Sequence, residues 1–258
     1  MSDLLDPVIL QMLAAMEPVL KAYNVEFYLV GAVARDIHFS KHPQLASKRA
    51  TLDIDFAIMV DNEDQFYYIK DALLETGAFT AHETEAIKLF YKNSIEIDLL
   101  PFGGIENEGR ETRLYKPRLF ALDVPGFLEV LPAVETIQVS KDISINVCSL
   151  EGLVLLKLVA WDDKPSRTKD ITDIEHIINC YADLWDVEIF QEYMDVMELY
   201  DTAANAFLQL VAARIIGRKI SALLINSVEL HHRVTRIACS RAEQTWQALA
   251  EGLVDLGS

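Results

Sequence analysis

Acidic side chains occur on two short apolar segments in the first half of the chain. Asp53 and Asp55 alternate with apolar residues, and Asp98 lies in a second apolar run further along. Residues two apart in a β-strand point to the same face, so Asp53 and Asp55 are expected to project together. Two like charges held that close repel each other unless a cation lies between them. With a third carboxylate from a neighbouring strand they would form an oxygen ligand set suited to Mg²⁺ and to metal-assisted phosphoryl or nucleotidyl transfer.

Two alternatives accompany this interpretation. Alternating acids on a strand often face solvent, but here the surrounding residues are apolar on both faces, where acids without a role would be costly. The identity of the third ligand is open, because Glu96 lies on the same face as Asp98. The apolar neighbours of Asp98 favour Asp98.

A glycine turn precedes these acids. The segment Tyr28–Asp36 is typical of a strand, a glycine at Gly31 and the start of a helix at Ala32. Glycine permits close backbone approach to a phosphate, and the first N–H groups of the helix favour an anion. Arg35, one turn into the helix, could meet a phosphate or a carboxylate. Taken alone the junction is weak, because most such glycines only make a turn.

A second cluster of charged residues lies in the helical half. Lys157 interrupts an apolar helix, so its burial requires an anionic partner. Beyond Pro165, Asp170 and Asp173 share a helix face three residues apart. One interpretation is a salt-bridged helix pair, in which Lys157 and Arg167 bind these acids. The functional interpretation places Lys157 and Arg167 on a triphosphate, with Asp170 orienting Lys157 or assisting the reaction. The two interpretations are compatible with each other.

The periodicity predicts an α/β domain over residues 1–148 and a helical domain over residues 149–258. The predicted strands, including two hairpins with turns at 92–93 and 141–142, are Phe27–Val30, Leu52–Val60, Ile87–Tyr91, Ile95–Leu100, Thr136–Val139 and Ile143–Val147. Polar loops are predicted over Ser40–Ala50 and Gly103–Lys116. The predicted helices are Asp6–Tyr23, Ala32–Phe39, Asn62–Thr76, Leu150–Trp161, Arg167–Tyr181, Val187–Tyr200, Thr202–Arg218, Ser221–Cys239 and Arg241–Leu253.

The composition is that of a well-packed globular protein, with 51% hydrophobic residues among 258. An uninterrupted apolar stretch of about 18 residues is absent, which argues against a membrane span. The acidic N-terminus lacks the basic start of a signal peptide. Cys148, Cys180 and Cys239 have no metal-ligand spacing, so buried reduced thiols in a cytoplasmic protein are expected.

The net charge of −17 disfavours nonspecific nucleic-acid binding. Two basic runs depart from this average, and each is also explained by an ordinary solvated surface. The residues of the first are Arg110, Arg113, Lys116 and Arg118, and those of the second are Arg214, Arg218, Lys219, Arg233, Arg236 and Arg241.

Taken together, these motifs resemble the polymerase-β-type nucleotidyltransferase superfamily, in particular AbiEii-type toxins of abortive-infection (type IV) systems and related bacterial nucleotidyltransferases. The glycine turn matches Gly31-Ala32, the Asp-x-Asp motif matches Asp53-Ile54-Asp55, and the third acid matches Asp98. The helical motif is the more specific part, and it matches Lys157-Leu158-Val159-Ala160, Arg167, Lys169-Asp170 and Asp173. The resemblance covers roughly residues 27–178.

The resemblance implies a nucleotidyltransferase core with a small mixed sheet, followed by an all-α domain. It implies two Mg²⁺ ions on Asp53, Asp55 and Asp98, with Asp98 as the general base. The triphosphate of an NTP would be held by Gly31, Ala32, Arg35, Lys157 and Arg167, with Asp170 assisting. The acceptor would be a tRNA 3′ end, a protein side chain or a small molecule, and an antitoxin is a further expected partner.

The sequence departs from the family at the turn, where Gly31-Ala32 replaces the usual Gly-Gly or Gly-Ser. A serine hydroxyl for the γ-phosphate is therefore missing, although the Ala32 backbone N–H remains. The turn is also similar to that of tRNA CCA-adding enzymes, but the longer loop before Asp53 and the different helical motif argue against that group. The altered turn supports a rival hypothesis, a noncatalytic nucleotide- or partner-binding module, whereas three intact acids oppose it.

Overall fold

The computed structural model describes residues 4–40, 42, 44–45 and 53–255. The chain forms two compact units, and the division between them falls between Ser149 and Leu150. The predicted domains divide one residue earlier. Their assignment as a catalytic domain and a helical C-terminal domain stays a prediction.

The first unit combines a mixed β-sheet with helices. Its described strands are β1 (Phe27–Val30), β2 (Asp53–Met59), β3 (Phe79–Ala81), β4 (Lys88–Tyr91), β5 (Ile95–Phe102), β6 (Glu111–Leu114), β7 (Phe120–Asp123), β8 (Glu135–Gln138) and β9 (Ser144–Val147). Its described helices are α1 (Pro7–Ala22), α2 (Gly31–Phe39), α3 (Glu63–Glu75) and α4 (Phe127–Val130), and a 3₁₀ turn covers Leu131–Ala133. Seven strands form one sheet in the order β3-β4-β5-β2-β1-β9-β8, and β6 pairs separately with β7.

Strand β2 lies in the middle of the large sheet. It pairs antiparallel with β1 and parallel with β5. Its residues Ile54, Phe56 and Ile58 are buried in the core, where burial of large apolar side chains is the main source of stability. Strand β2 therefore has a hydrogen-bonded strand on each side. This pairing positions Asp53 and Asp55, which lie at the beginning of the strand.

Local sequence signals explain where two of the helices begin. Asp6 caps α1, since its side chain accepts a hydrogen bond from the Val8 N–H at 2.8 Å, and Pro7 occupies the first turn. Asn62 caps α3 in the same way, accepting from the Gln65 N–H at 2.9 Å. The predicted helix starts at these two positions are confirmed to within a residue.

The first hairpin differs from its prediction in one respect. Tyr91 pairs with Ile95, so the turn takes three residues, 92–94, instead of the two predicted. Lys92 and Asn93 have φ values of +48° and +56°. As a result, Lys88 pairs with Asp98. A two-residue turn would have placed Lys88 opposite an apolar residue and on the other face of the sheet.

Other differences concern short strands and positions outside the described residues. The predicted polar loop Gly103–Lys116 contains β6, and β3 and β7 were not predicted. Most of the predicted loop Ser40–Ala50 lies outside the described residues, as does Leu52, the predicted first residue of β2.

The described secondary-structure elements of the second unit are helices. Its helices are α5 (Leu150–Asp163), α6 (Thr168–Leu184), α7 (Asp186–Glu192), α8 (Met194–Met197), α9 (Phe207–Leu223), α10 (Val228–Cys239) and α11 (Gln244–Asp255). The fold class, an α/β part with a mixed sheet and a helical C-terminal part, is confirmed.

Three helix predictions in this unit were wrong in detail. The single helix predicted over Val187–Tyr200 is two short helices that divide at Tyr193. Helix α9 begins at Phe207, because the Asp201 side chain accepts from the Ala203 N–H and forms a turn before it. The helix predicted from Ser221 begins at Val228.

Two further predictions concern composition. No helix within the described ranges has the length and apolar character needed to cross a bilayer. Cys148 and Cys180 are buried as expected, whereas Cys239 is exposed, and the prediction for that residue was wrong. Cys239 ends α10, where a side chain is easily left at the surface.

Candidate active site

Four carboxylates lie side by side at the beginning of β2 and on β5. In the parallel pairing of these strands, Asp53 is opposite Glu96 and Asp55 is opposite Asp98. Paired residues on neighbouring strands point to the same face, so the four acids share one face of the sheet. Asp53 is exposed, whereas the other three are half-buried. The structure thus brings the predicted acids together, with Glu96 among them.

The glycine turn lies directly against this group of acids. Val30, the last residue of β1, pairs with Asp55, and Gly31 follows with a φ of +72°. A Cβ atom placed on Gly31 would lie 2.1 Å from Asp55 Oδ2. Glycine is therefore required here twice over, by its backbone conformation and by the Asp55 carboxylate packed on its α-carbon.

The predicted phosphate-binding residues of α2 follow this turn. Val30, the N-cap residue of α2, provides no side-chain hydrogen bond, and no acidic residue lies in the first turn of the helix. Its N-terminal N–H groups therefore present a positive end beside the acids. The Arg35 guanidinium is largely buried and donates to Asp36 Oδ1 from Nη2 at 2.8 Å. Arg35 is thus held by a neighbouring carboxylate, the second of the two partners that the sequence suggested.

Asp98 has the most perturbed environment of the four acids. Burial raises the pKa of its carboxyl, Lys88 acts in the opposite direction, and the negative charge of Asp53 raises it further. Its Oδ1 atom is buried and has no hydrogen-bond partner among the described residues. A buried carboxylate oxygen without a hydrogen bond is costly, and this one is suited to accept a cation.

Lys88, on β4, was not singled out from the sequence. Its ammonium group forms an ion pair with Glu96 and lies 3.6 Å from Asp98 Oδ1. Its side chain is only 20% exposed. The signal that could have revealed it is the hairpin register, which places Lys88 opposite Asp98.

The donor set of this face fits a hard divalent cation. Carboxylate oxygens are the ligands that Mg²⁺ prefers, and Asp98 Oδ1 is a further donor atom that has no hydrogen bond among the described residues. The side chains of the four acids do not converge on one point, however. Within the described ranges, no three His, Cys, Asp or Glu side chains are gathered around a possible metal position. The residues therefore fit the ion in chemistry and in strand position, without forming a closed cage.

The second predicted cluster is assembled within the helical unit. Lys157 Nζ, on α5, lies 2.6 Å from Asp173 Oδ2 and 3.4 Å from Asp170 Oδ1, both on α6. Arg167 Nε donates to Asp170 Oδ2 at 2.7 Å. The two carboxylates are nearly buried, whereas Arg167 is 56% exposed. The predicted salt-bridged helix pair is present, and the Arg167 side chain is more than half exposed.

The basic run of the second unit is paired with acids, most of which are distant in sequence. The pairs are Arg214 with Glu251 and Asp255, Arg218 with Asp195 and Asp255, Lys219 with Glu151 and Glu188, Arg233 and Arg236 with Asp162, and Arg241 with Glu175 and Glu243. Arginines of the first run are likewise paired, Arg110 with Glu106 and Glu129, Arg113 with Glu111 and Arg118 with Glu85. These positive charges are balanced locally, which supports the interpretation of solvated, salt-bridged surfaces.

Comparison with known proteins identifies the class. A family model described as "Nucleotidyl transferase AbiEii toxin, Type IV TA system" matches residues 15–255. The protein is a nucleotidyltransferase, an enzyme that transfers a nucleoside monophosphate. Within this class, the chain belongs to the AbiEii toxin family. Membership of an enzyme family favours the catalytic interpretation over the noncatalytic one.

Solved structures give more distant similarities. The antibiotic-resistance factor ANT(2'')-Ia is 14% identical, with a TM-score of 0.43 over 76% of this chain and 97% of its own. An antigenic nucleotidyltransferase-like protein from Paracoccidioides brasiliensis is 15% identical, with a TM-score of 0.44 over 90% of this chain and 94% of its own. A CCA-adding enzyme is 13% identical, with a TM-score of 0.35 over 97% of this chain and 65% of its own. No curated protein sequence matches the chain.

Proposed function

We propose that this enzyme uses Mg²⁺ to transfer a nucleoside monophosphate from an NTP to an acceptor hydroxyl at the face formed by β2, β5 and the Gly31 turn. The observation that carries the proposal is the contact between Asp55 and the Gly31 α-carbon. It joins the two halves of the motif, a phosphate-accepting turn and a pair of metal-binding acids.

Each residue of the face has a role in this proposal. Asp53, Asp55 and Asp98 would hold the cation, which would neutralise the triphosphate and make the acceptor hydroxyl more acidic. The backbone N–H groups of Gly31 and Ala32 receive phosphate oxygens. Because no serine hydroxyl is present at this turn, these N–H groups and the cation must supply the grip on the phosphates.

The chemical step is an exchange of one P–O bond for another. The acceptor oxygen bonds to the α-phosphorus, the bond between that phosphorus and the bridging oxygen breaks, and pyrophosphate leaves with the bond's electron pair. Asp98 accepts the proton of the acceptor hydroxyl as the general base. Its position beside Asp55 on the adjacent strand supports this role.

Lys157 and Arg167 are proposed as triphosphate-binding residues on the basis of the family motif. Their positive charges and the exposure of the Arg167 side chain support the assignment. Asp170, which contacts both, is proposed to orient them. The pairing of Lys157 with Asp173 shows that this cluster also stabilises the helix pair.

The acceptor class and the partner belong to the same proposal. The acceptor is the 3′ end of a tRNA, a protein side chain or a small molecule, and the experiment below separates them. As a member of a toxin family, the protein is proposed to be neutralised by an antitoxin encoded with it.

The proposal is tested by labelling. The purified full-length protein is incubated with Mg²⁺ and each α-³²P-labelled NTP, alone, with total bacterial tRNA or with a bacterial small-molecule extract. The RNA and protein products are separated on gels, and the small molecules by thin-layer chromatography. The variants are Asp53→Asn and Asp55→Asn. Asp142→Asn, on the exposed β8–β9 turn of the same unit, is the matched control.

The expected result is a labelled acceptor with one NTP, reduced at least about 100-fold in both active-site variants and unchanged in the control. Label on RNA identifies a tRNA-modifying enzyme, label on protein identifies NMP transfer to protein, and label in the extract identifies a small-molecule acceptor. Transfer that persists in both Asp53→Asn and Asp55→Asn would refute the assigned site.

A further inference from the structure

Among the described residues, Lys88 is a cation that contacts two of the four carboxylates. Its ammonium group is ion-paired with Glu96 and lies 3.6 Å from Asp98 Oδ1, an atom with no hydrogen bond among the described residues. The side chain reaches them from β4, the strand beside β5, where Lys88 is the register partner of Asp98. Its position is therefore fixed by the hairpin and by two carboxylates.

The charge balance of the face gives this lysine a function. Asp53 with Glu96, and Asp55 with Asp98, are directly opposed acids on neighbouring strands, and opposed like charges destabilise a sheet. Lys88 offsets part of that repulsion on the β5 side. Glu96 receives the closer contact, which leaves Asp98 Oδ1 as the oxygen still able to accept a second cation.

We propose that Lys88 serves as the internal counter-ion of this face, offsetting the charge of Glu96 and Asp98 before metal binds and opposing the entry of a divalent cation. In this arrangement Glu96 anchors the lysine, and Asp98 is the third metal ligand. The inference rests on the proposed function, because it assumes that Asp53, Asp55 and Asp98 bind the cation.

The proposal predicts an unusual direction of change. An ammonium group and a divalent cation that both approach Asp98 Oδ1 repel each other and compete for the same oxygen. Removing the lysine charge should therefore tighten metal binding, even though it removes a stabilising ion pair. A lysine with a purely structural role would leave the affinity unchanged or weaken it by disordering Asp98.

The test is direct titration of Mn²⁺ into the nucleotide-free, full-length protein, with free Mn²⁺ measured by electron paramagnetic resonance. The variants are Lys88→Met, which removes the charge, Lys88→Gln as a second neutral replacement in case the first does not fold, and Lys88→Arg, which keeps the charge. Lys92→Met is the matched control, since Lys92 belongs to the same hairpin but contacts Gln11 and the Tyr91 ring. Asp55→Asn tests the metal centre itself.

Lys88→Met or Lys88→Gln is expected to bind Mn²⁺ about tenfold more tightly than the wild type. Lys88→Arg and Lys92→Met should stay close to the wild-type affinity. The role of Lys88 would be overturned if the neutral variants bind Mn²⁺ no more tightly than the wild type. The metal centre would still stand in that case, provided that the wild type binds Mn²⁺ and Asp55→Asn does not. Wild-type binding that is absent, or that Asp55→Asn does not reduce, would refute both the metal centre and the inference.

Discussion

Replacing Gly31 by alanine should damage the active site through a single methyl group. The new Cβ would lie 2.1 Å from Asp55 Oδ2, whereas unstrained contacts are about 3.5 Å. The Asp55 carboxylate or the turn must therefore move by more than about 1 Å. A displacement of that size in a catalytic group costs about 100-fold in rate.

A second cost comes from the backbone and must be separated from the first. Gly31 has a φ of +72°, and a residue with a Cβ loses about 1 kcal/mol of stability in that conformation. Gly77 has almost the same φ, +73°, but a Cβ there would meet nothing within 4 Å. Gly77→Ala is therefore a matched control that carries the backbone cost without the displacement of Asp55.

The assay compares the two variants by their rate of NMP transfer under saturating NTP and by urea unfolding. Both should lose about 1 kcal/mol of stability, but only Gly31→Ala should lose about 100-fold in transfer rate. A Gly31→Ala enzyme with a transfer rate close to that of Gly77→Ala would refute the claim that Asp55 must sit where it does. A similar loss of rate in both variants would show that backbone strain, and not the carboxylate, accounts for the effect.

Two further predictions concern the stability of the helical unit. Lys157→Met should destabilise the protein by about 3 kcal/mol in urea unfolding, because the nearly buried Asp170 and Asp173 lose a shared cation. A change below about 1 kcal/mol would contradict this and show that these ion pairs are as weak as solvent-exposed salt bridges. Hydrogen bonds from Arg214 and then Arg218 lower the pKa of Asp255 from 3.8 to about 2, so this carboxylate stabilises the fold fully above pH 3.8 and loses its contribution as the pH falls toward 2. Asp255→Asn should therefore be about 2 kcal/mol less stable than the wild type at neutral pH, with a difference that shrinks on acidification, and a difference independent of pH would contradict this explanation.

The parts of the fold that were predictable are those in which one pattern determines the element. Apolar runs with alternating acids identified β2 and β5, and an apolar stripe at helical spacing identified α1. Strand β6 escaped prediction because its sequence, Glu-Thr-Arg-Leu, carries one strongly apolar residue. The helix predicted as one piece over 187–200 is interrupted at Tyr193, a residue whose type gives no breaking signal.

The acidic residues of the candidate site could be predicted from the sequence, but the lysine beside them could not. Asp53, Asp55 and Asp98 are visible in the alternation of two strands. Lys88 depends on the register of a hairpin, and a turn one residue shorter would place it on the other face. Sequence distance also concealed the partners of the basic run, since Arg233 pairs with Asp162, 71 residues away. Charges counted along the chain therefore show basic runs, but not the ion pairs that neutralise them.

The measurement that tests the central claim most directly is a crystal structure of the protein with Mn²⁺ and a nonhydrolysable NTP, in which anomalous scattering locates the metal. We expect an anomalous peak about 2.1 Å from carboxylate oxygens of Asp53 and Asp55, with triphosphate oxygens on the backbone N–H groups of Gly31 and Ala32. Metal and triphosphate bound elsewhere on the protein, with these acids uncoordinated, would contradict the account.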